Sequence, residues 1–444
     1  MDDALTLPAE IVERAIAAGA AEAESTLSLY ARFSAEARAT EIETVEQSTG
    51  RSLTVRAFAP GGRKATLTSS DLTRDGLTKL VREVVDAAKF VAPDPYVGLP
   101  DDLPAAVEDA RLGLYRDDVH ERASEAKIAD ALALEAEARA CDSRIVNSGG
   151  SRVSDTIVTL ALANSRGFRG VYRASQAMRS AKPIAQDGAA RRVAQYGSAA
   201  RGYAELEPVT TVARIAARRA LDLCGARKPA TLRCPVIFER DVAAAVLGDV
   251  FAALSAANVA IGNSFFIGKV GQKIGSDLVN VFDDGRLPNG LGSSPFDGEG
   301  VPTRRTVIFR NGVLETFLYD TYHGRKLGAA STGNASGGGI GPNNFYLEPG
   351  TKTLEDVIAG TPRGVLVVDT IGFAGESVTG TYSRGARGLW IENGEVAYPI
   401  DEFTIAGNLT EMLASVDAVA NDLRFDATIV APSFRVAGMT ISGT

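Results

Sequence analysis

The stretch FERDVAAAVLGDVFAALSAA, residues 238–257, carries the strongest structural signal in the chain. Its large apolar side chains recur at the spacing of one helical face, which predicts a helix packed against a core. These side chains are Val242, Val246, Leu247, Val250, Phe251 and Leu254. Gly248 and Asp249 fall off that stripe, on the side that a helix presents to a cleft. A helix that holds zinc usually carries two histidines and a glutamate, whereas this one offers Gly248, Asp249 and Ala253.

The chain around this helix has the composition of a globular protein. Of its residues, 45% are hydrophobic and 23% are charged, which is close to globular averages. Its length of 444 residues predicts two or more domains. The glycine, proline and charges of Gly225–Pro229 predict a boundary that gives domains 1–227 and 228–444. The net charge is −8 and no long basic run occurs, so a nucleic-acid partner is not expected.

The cysteines and the first residues indicate the compartment. Cys141, Cys224 and Cys234 are widely spaced and odd in number, so no disulfide framework is expected. The first residues, MDDALTLPAEIVERA, are acidic where a signal peptide needs positive charge. No stretch predicts a membrane span, because Asp249 interrupts the alanine-rich helix. We therefore expect a cytoplasmic protein.

The first 227 residues alternate helical and strand patterns. Predicted helices are Pro8–Ala18, Ser70 or Asp71 to Phe90, Val119–Ala140 and Val209–Leu223. Predicted strands are Thr26–Phe33, Ala39–Gln47, Arg51–Phe58, Arg63–Thr68, Arg144–Val146, Val153–Leu162 and Gly167–Met178. Asn147–Gly150 has the composition of a hairpin turn. This order predicts a mixed α/β domain with antiparallel strands.

The C-terminal half has strong hairpin signals. Asn311-Gly312 and Asn393-Gly394 each separate two apolar runs, and Asn-Gly favours the type I′ turn. The glycine-rich segment 331–342 is expected to lack regular structure. We predict a β-rich C-terminal domain with twisted antiparallel sheets, and an α+β class for the whole chain.

Residues with catalytic potential are few. His120 and His323 are the only histidines, and a zinc site that uses both is not expected. His323 is interpreted as a polar contact in a cleft or as a surface residue. Ser124-Glu-Ala-Lys127 matches the Ser-x-x-Lys pattern of serine nucleophiles. It lies within a segment of strong helix propensity and lacks the companion motifs, so a structural role is favoured. The acidic loops with Asp283, Asp284, Asp297 and Glu299 favour turns over a cation site.

Two ordered blocks resemble a known family. Residues 283–334, DDGRLPNGLGSSPFDGEGVPTRRTVIFRNGVLETFLYDTYHGRKLGAASTGN, are similar to the signature region of the TldD/PmbA (TldE) modulator-of-gyrase family. Residues 388–409, GLWIENGEVAYPIDEFTIAGNL, resemble its second signature, and the pattern around residues 45–84 agrees with it. The resemblance covers nearly the whole chain. It implies a two-domain α+β subunit whose β-rich C-terminal domain holds the peptide site.

The resemblance also implies a missing metal site. Catalytic TldD-type members carry a His-Glu-x-x-x-His helix and a late cysteine that together hold a metal. This chain has Gly248, Asp249 and Ala253 at those helix positions and no cysteine after Cys234. It therefore resembles the PmbA/TldE-type subunit, with no metal of its own and with zinc or a similar metal in a partner subunit.

The leading hypothesis is a non-catalytic subunit that helps to bind and enclose unfolded peptide for a TldD-type catalytic subunit. Strand addition would bind peptide backbone without demanding a sequence. The predicted peptide contacts are Asp297, Glu299, Tyr319, Asp320, His323, Thr332 and Asn334. Two alternatives stay open: a self-contained peptidase that uses Asp249 with the acidic loops, and a homodimeric peptide-binding module without a peptidase partner.

Overall fold

The computed structural model describes residues 3–107, 110–372 and 376–443, and it confirms the α+β class. The helices are α1 Asp3–Ala17, α2 Arg74–Phe90, α3 Asp118–Glu121, α4 Ser124–Ala140, α5 Val209–Leu221, α6 Arg240–Leu254, α7 Ala256–Ala260, α8 Thr321–Leu327, α9 Leu354–Ala359 and α10 Leu409–Ala414. The strands of the N-terminal half are β1 Glu22–Arg38, β2 Glu41–Ala59, β3 Arg63–Ser69, β4 Ile145–Asn164, β5 Arg169–Asp187, β6 Ala190–Val193 and β7 Tyr196–Ala200. Those of the C-terminal half are β8 Leu232–Phe238, β9 Val281–Asp284, β10 Arg305–Arg310, β11 Val313–Leu314, β12 Ala335–Ser336, β13 Gly339–Ile340, β14 Phe345–Leu347, β15 Arg363–Ile371, β16 Thr381–Glu392, β17 Glu395–Asn408, β18 Val416–Val419, β19 Ile429–Val430 and β20 Phe434–Ser442.

A seven-stranded sheet organises the N-terminal half. Its order is β3-β2-β1-β4-β5-β6, and β7 also pairs with β5. Strands β1 and β2 form one long antiparallel hairpin. Ala39 and Thr40 make its turn, with φ angles of 52° and 70°. The prediction that Ala39 begins a strand is therefore wrong, because pairing continues up to this turn on both sides.

Four helices cover one face of this sheet. Leu27 of β1 packs in a cluster with α1 and α2, whereas Phe33 and Ala35 of the same strand pack in a cluster with α4 and α5. Side chains of one parity point to one face of a strand, so both helix pairs lie on the same side. On the opposite face, Leu162 of β4 is buried in a cluster with Phe168 and Phe296.

Helix α6 lies at the centre of the C-terminal half. Its apolar stripe belongs to the largest core cluster, with Phe238 and Val367 from a six-stranded sheet and Val281 and Phe345 from a five-stranded one. The predicted core-facing helix is confirmed. Most strand pairs are antiparallel, but β8 with β15 and β14 with β19 are parallel. None of the helices in the described ranges has the length and apolar character that crossing a bilayer requires.

The two Asn-Gly turns are confirmed. The φ angles are 48° and 77° at Asn311 and Gly312, and 54° and 78° at Asn393 and Gly394. Left-handed angles at both central residues define the type I′ turn that matches the twist of a hairpin. The glycine-rich segment 331–342 differs from the prediction, because β12 and β13 pair within it.

Two predicted breaks fall in the wrong places. Asn147–Gly150 is not a hairpin turn but part of β4, where the register with β5 shifts between Ser148 and Ser151. The helix predicted over Val119–Ala140 is divided, because Arg122 has extended backbone angles between α3 and α4. At Asn147–Gly150, the pairing of β4 with β5 overrides the local turn signal, because a bulge accommodates the extra residues.

Helix starts also differ from the prediction. Pro8 lies inside α1, not in its first turn. The cap of α2 is Thr73, whose side chain accepts a hydrogen bond from the N–H of Gly76. Asp71 instead accepts hydrogen bonds from the N–H and hydroxyl of Thr73, so it orients the cap without being the cap.

Arginine side chains connect the two halves. Arg201 is 4% exposed and donates hydrogen bonds to the carbonyl oxygens of Gly290 and Ser293. Arg116 donates to Asn289 at 2.8 Å. Burial lowers the pKa of Arg201 to about 10, and the charge of Arg116 adds to the decrease. The domain boundary between residues 227 and 228 stays a prediction.

Candidate functional site

The polar positions of α6 are not open to solvent in the way that their pattern indicates. Asp249 is 6% exposed, and its Oδ2 accepts a hydrogen bond from Arg384 Nη2 at 2.7 Å. Ala253 is fully buried. Gly248 is half-buried, and a Cβ there would meet no atom within 4 Å. The prediction that Asp249 faces a cleft is wrong, because its carboxylate is one half of a buried ion pair.

A cleft of about 790 Å³ lies between the two halves, beside the first turns of α6. The N-terminal half contributes Met178 and Tyr196, from β5 and β7. Val242 and Ala245 of α6 and Val368 of β15 line the other side. Cavities of this size and of mixed apolar and polar character hold peptides and small ligands in other proteins.

Strand edges border this cleft. β15 pairs with β8 only at Val365–Val367. The N–H of Glu239, directly after β8, donates a hydrogen bond to the carbonyl oxygen of Val367 at 2.9 Å. The next residues, Val368–Thr370, line the cleft and have no strand partner on that side among the described strands. Across the cleft, β7 pairs with β5 alone in the described part of the chain. An extended peptide can add to such an edge through main-chain hydrogen bonds.

Charged groups at the start of α6 neutralise one another. Arg219 lies 2.7 Å from Glu239 and 2.6 Å from Asp241. Glu239 also caps α6 by accepting from the N–H of Asp241. Burial raises the pKa of Glu239, and the charge of Asp241 adds to the rise, while Arg219 opposes it. The cleft therefore presents a compensated cluster, without a free catalytic carboxylate at this position.

Tyr196 joins the halves at the rim of the cleft. Its hydroxyl lies 3.0 Å from Glu207, and Arg240 and Arg424 both donate hydrogen bonds to it. The guanidinium groups of Arg219, Arg240 and Arg424 lie 4.9, 5.8 and 5.2 Å from the centre of its ring. Burial raises the pKa of Tyr196, so the phenol stays neutral. This cluster fixes the position of β7 relative to α6.

The predicted peptide contacts lie elsewhere, and none of them lines this cleft. Asp297 is buried and accepts hydrogen bonds from the N–H groups of Glu299, Val301 and Ala335 at 2.9 to 3.0 Å. Burial raises the pKa of Asp297 to about 8, and the nearby charge of Glu299 contributes. Its carboxylate thus shapes the acidic loop, as the turn interpretation predicts.

Buried amide and hydroxyl groups continue this network. Asn334 donates to Asp283 at 2.7 Å, and burial raises the pKa of Asp283 to about 6. Thr332 accepts from the N–H of Tyr319 at 2.8 Å. These contacts hold the segment after α8 against β9 and the acidic loop.

Helix α8 uses the remaining predicted contacts. Asp320 caps it by accepting from the N–H of His323 at 2.7 Å, and the imidazole Nδ1 lies 2.8 Å from the same oxygen. Glu299 accepts from the N–H of Thr321 at 3.0 Å. Glu299 and Tyr322 line a hollow of about 20 Å³, which has room for about one water. All seven residues stay predictions as peptide contacts, and their described bonds serve the fold.

The other candidate chemistries gain no support from the geometry. Lys127 is buried and forms an ion pair with Asp155 at 2.5 Å, so the lysine of the Ser124–Lys127 pattern has a structural role. Within the described ranges, no three His, Cys, Asp or Glu side chains are placed to share a metal ion. His120 is exposed at the end of α3, far in sequence from His323.

Sequence reasoning missed the cleft residues. Tyr196, Arg219, Val368 and Arg387 carry no local motif, and they meet only because β7, α5, β15 and β16 converge. The single usable signal was α6 itself, since Ala245 follows Val242 by three positions and therefore shares its side of the helix.

Comparison with known proteins places this architecture. Three models of the PmbA/TldA metallopeptidase match the chain: domain 1 at residues 29–88, the central domain at 117–223 and the C-terminal domain at 231–443. The chain belongs to the PmbA/TldD metallopeptidase family. Its relatives include the metalloprotease PmbA homolog of Haemophilus influenzae, 34% identical over 97% of this chain and 94% of that protein. The metalloprotease PmbA of Escherichia coli O157:H7 is 31% identical over 95% and 92%.

Solved structures share the fold. A protein described as a modulator of DNA gyrase from Bacteroides thetaiotaomicron is 27% identical, with a TM-score of 0.91 over 100% of this chain and 99% of that one. TldE from Thermococcus kodakarensis has a TM-score of 0.88 at 22% identity, over 98% and 99% of the two chains. The predicted family is confirmed.

The metal that a metallopeptidase implies does not fit the residues of α6. Glycine and alanine supply no ligand at positions 248 and 253, and the carboxylate of Asp249 is bound to Arg384. Cys234 is the last cysteine and lies buried in β8. Zinc sites need three or four nitrogen, sulfur or oxygen donors around one point, and this helix offers one engaged carboxylate.

Proposed function

We propose that this chain is the non-catalytic subunit of a TldD/TldE-like peptidase complex, and that it holds an extended, unfolded peptide for a metal-bearing partner. The observation that carries the proposal is the cleft beside α6, which is bordered by the edge of Val368–Thr370, and this edge pairs with no described strand on the cleft side. The site offers a strand edge, apolar contacts and charged groups in ion pairs, such as Arg387 with Asp369 and Arg424 with Asp426, which suit the binding of a peptide.

Residues of this chain have defined roles in the proposal. The edge of β15 aligns the peptide backbone, and Val242 and Ala245 contact its side chains. The cluster around Tyr196 fixes the opposite wall. Because main-chain bonds dominate such a site, it accepts many sequences. A metal in the partner would polarise the peptide carbonyl and activate water.

The partner is proposed to be a TldD-type subunit. The metalloprotease TldD homolog of Buchnera aphidicola (subsp. Acyrthosiphon pisum) is 28% identical to 41% of this chain, so TldD-type proteins share part of the fold. A homologue of this kind that retains its ligands would provide the chemistry that α6 lacks. Co-purification of tagged chain from its native host, followed by mass spectrometry, identifies the companion.

Activity measurements test the division of labour. The purified chain is expected to cleave no unfolded peptide and to retain no stoichiometric zinc, manganese or iron by elemental analysis. Mixing with the TldD-type partner is expected to give cleavage. Cleavage of peptide by the purified chain alone would overturn the proposal. If such cleavage persisted in Asp249→Ala, Asp249 would have no role in it.

A matched pair of alanines tests the position of the peptide. Ala244 and Ala245 are adjacent and half-buried on α6, but only Ala245 lines the cleft. Ala245→Trp is expected to weaken the binding of a fluorescent unfolded peptide about tenfold or more, because the indole fills the space, while Ala244→Trp leaves it nearly unchanged. Equal effects of both substitutions, at equal melting temperatures, would remove the cleft from the proposal.

A further inference from the structure

Strand β2 extends beyond the short edge strand β3, and along this extension no other described strand pairs with its outer side. β3 pairs with β2 only along Leu53–Ala59, whereas β1 pairs along nearly all of it. The segment Glu41–Arg51, here named the β2 edge, therefore lies at the rim of the sheet in the described part of the chain. Nearly all of its side chains are exposed, and Val45 is 47% exposed. This rim is the opposite one from β5–β7, which borders the cleft.

Hydrogen-bond alternation tells which residues of the β2 edge offer free main-chain groups. Thr54 and Thr68 are paired across β2 and β3, and their hydroxyl oxygens are 2.9 Å apart. Such close side chains are typical of a non-hydrogen-bonded antiparallel pair, so the main chain of Thr54 bonds to β1. Successive residues of a strand direct their main-chain N–H and C=O groups to opposite sides, so the odd-numbered residues of β2 direct theirs away from β1. In the β2 edge, these residues are Val45, Gln47 and Thr49.

Charge limits which strand can add here. The β2 edge carries Glu41, Glu43 and Glu46 against the single cation Arg51. A register shift relative to β1 places a bulge at Glu43. Acidic residues and bulges are the usual means of preventing indiscriminate pairing of sheet edges. A strand that opposes one of these acids with a cation, and none of them with another acid, is favoured here.

We propose that the β2 edge pairs antiparallel with the same edge of a second copy of this chain, about a twofold axis at Gln47. Val45 of one copy then lies opposite Thr49 of the other, within a continuous sheet across the dimer. Arg51 of each copy lies opposite Glu43 of the other. The twofold axis makes two such Glu–Arg pairs, and no like charges are opposed.

Neighbouring registers lack this match. An axis at Glu46 would oppose that carboxylate to its own copy, which is unfavourable. An axis at Ser48 would place Arg51 opposite Val45. Within one chain, eight residues of extended strand separate Glu43 from Arg51 by about 26 Å, so they cannot pair there.

Both charged groups already have exposed neighbours in their own chain. Glu43 lies 3.6 Å from Arg38, with both side chains 47% exposed. Hydrogen bonds from Thr73 lower the pKa of Asp71, and the charge of Arg51 contributes. Exposed pairs of this kind are weak, so each group remains able to take a second partner.

A charge swap tests the dimer and its register. Sedimentation velocity over a concentration series is expected to show a dimer of the full chain. Arg51→Glu and Glu43→Arg are each expected to weaken dimerisation about tenfold, because two cross-copy pairs become repulsive. The double variant is expected to restore it, since each copy then offers the swapped charges. Arg82→Glu, an exposed reversal on α2, serves as the control.

Proline at an outward position tests the ladder itself. Thr49→Pro removes an outward N–H and leaves the bonds to β1, so it is expected to give a monomer with a nearly unchanged melting temperature. A wild-type monomer at every concentration, a dimer that survives Thr49→Pro, or a double variant that stays weak would each overturn the proposal. These results do not depend on peptide binding or on the proposed function.

Discussion

At the residue scale, Asp249 of α6 forms an ion pair with Arg384, at the position where a metal-binding helix of the family carries its glutamate. Both side chains are nearly buried, at 5% and 11% exposure. Asp249→Ala leaves a buried guanidinium without its partner, so the free energy of unfolding is expected to fall by about 3–5 kcal/mol. Urea denaturation measures this loss.

Two controls separate the ion pair from other effects. Asp241→Ala removes a half-exposed carboxylate from the same helix and is expected to cost only about 0–1 kcal/mol. The double variant Asp249→Leu with Arg384→Met replaces both charges with apolar groups and is expected to recover most of the loss. A double variant as unstable as Asp249→Ala would show that the pair is not what stabilises this contact.

A second residue-scale prediction concerns pH. Burial raises the pKa of Asp297 to about 8 in the folded chain, above its ordinary value of 3.8. Between these two values the folded state binds the extra proton, so this group's contribution to stability is complete below about pH 4 and is lost as the pH rises towards 8. Asp297→Asn cannot ionise, so its unfolding free energy is expected to vary less over this range.

The measurement is a pair of denaturation series at pH 4, 6 and 8. The stability advantage of the wild type over Asp297→Asn is expected to shrink as the pH rises. Asp75→Asn, at an exposed position on α2, is the control and is expected to follow the wild type. A gap that widens with pH would mean that the three backbone N–H bonds, and not burial, dominate Asp297.

The same residues show what side-chain reading could and could not predict. The acidic loop was correctly interpreted as a turn, because Asp-Gly sequences form turns through local bonds. The direction of the side chains was not predictable. Asp297 and Asp320 accept hydrogen bonds from backbone N–H groups, and Asn334 donates to the carboxylate of Asp283. The bonds of Asp297 to Ala335 and of Asn334 to Asp283 join positions distant in sequence.

At the element scale, the turn of the β10–β11 hairpin offers a sharp prediction. Gly312 has φ 77°, and a Cβ there would overlap the carbonyl oxygen of Gly275. Gly312→Ala is expected to lower the free energy of unfolding by about 1–3 kcal/mol, because strain and overlap add. Gly337→Ala is the matched control, since nothing lies within 4 Å of the added Cβ and its stability should be nearly unchanged.

Elements were predictable where local and tertiary signals agree. Helix α6 and the two Asn-Gly hairpins follow from periodicity and turn chemistry alone. The residues Asn147–Gly150 have equally strong turn composition, yet pairing with β5 draws them into β4 as a bulge. A local reading cannot detect such a neighbour, because the strand that imposes the pairing lies later in the chain.

At the scale of the whole molecule, the cleft depends on how the halves are held together. Its walls come from β5, β7, α6 and β15, so no contiguous stretch of sequence could predict it. The bonds that set this arrangement span long separations, as when Arg201 donates to the carbonyls of Gly290 and Ser293. The family resemblance implies a peptide site in the C-terminal half, whereas the peptide site that we propose lies between the two halves.

Arg201 therefore yields the last prediction. Arg201→Met removes the donor shared by Ser175, Gly290 and Ser293, and leaving such carbonyls unpaired costs about 1–3 kcal/mol. Removing a buried charge offsets part of this loss, since burial already lowers the pKa of Arg201 to about 10. The decisive expectation is the shape of the transition: weaker coupling should separate unfolding into two calorimetric steps, whereas exposed Arg191→Met keeps the wild-type profile. A single step at wild-type temperature would show that contacts such as the Tyr196 cluster hold the halves without Arg201.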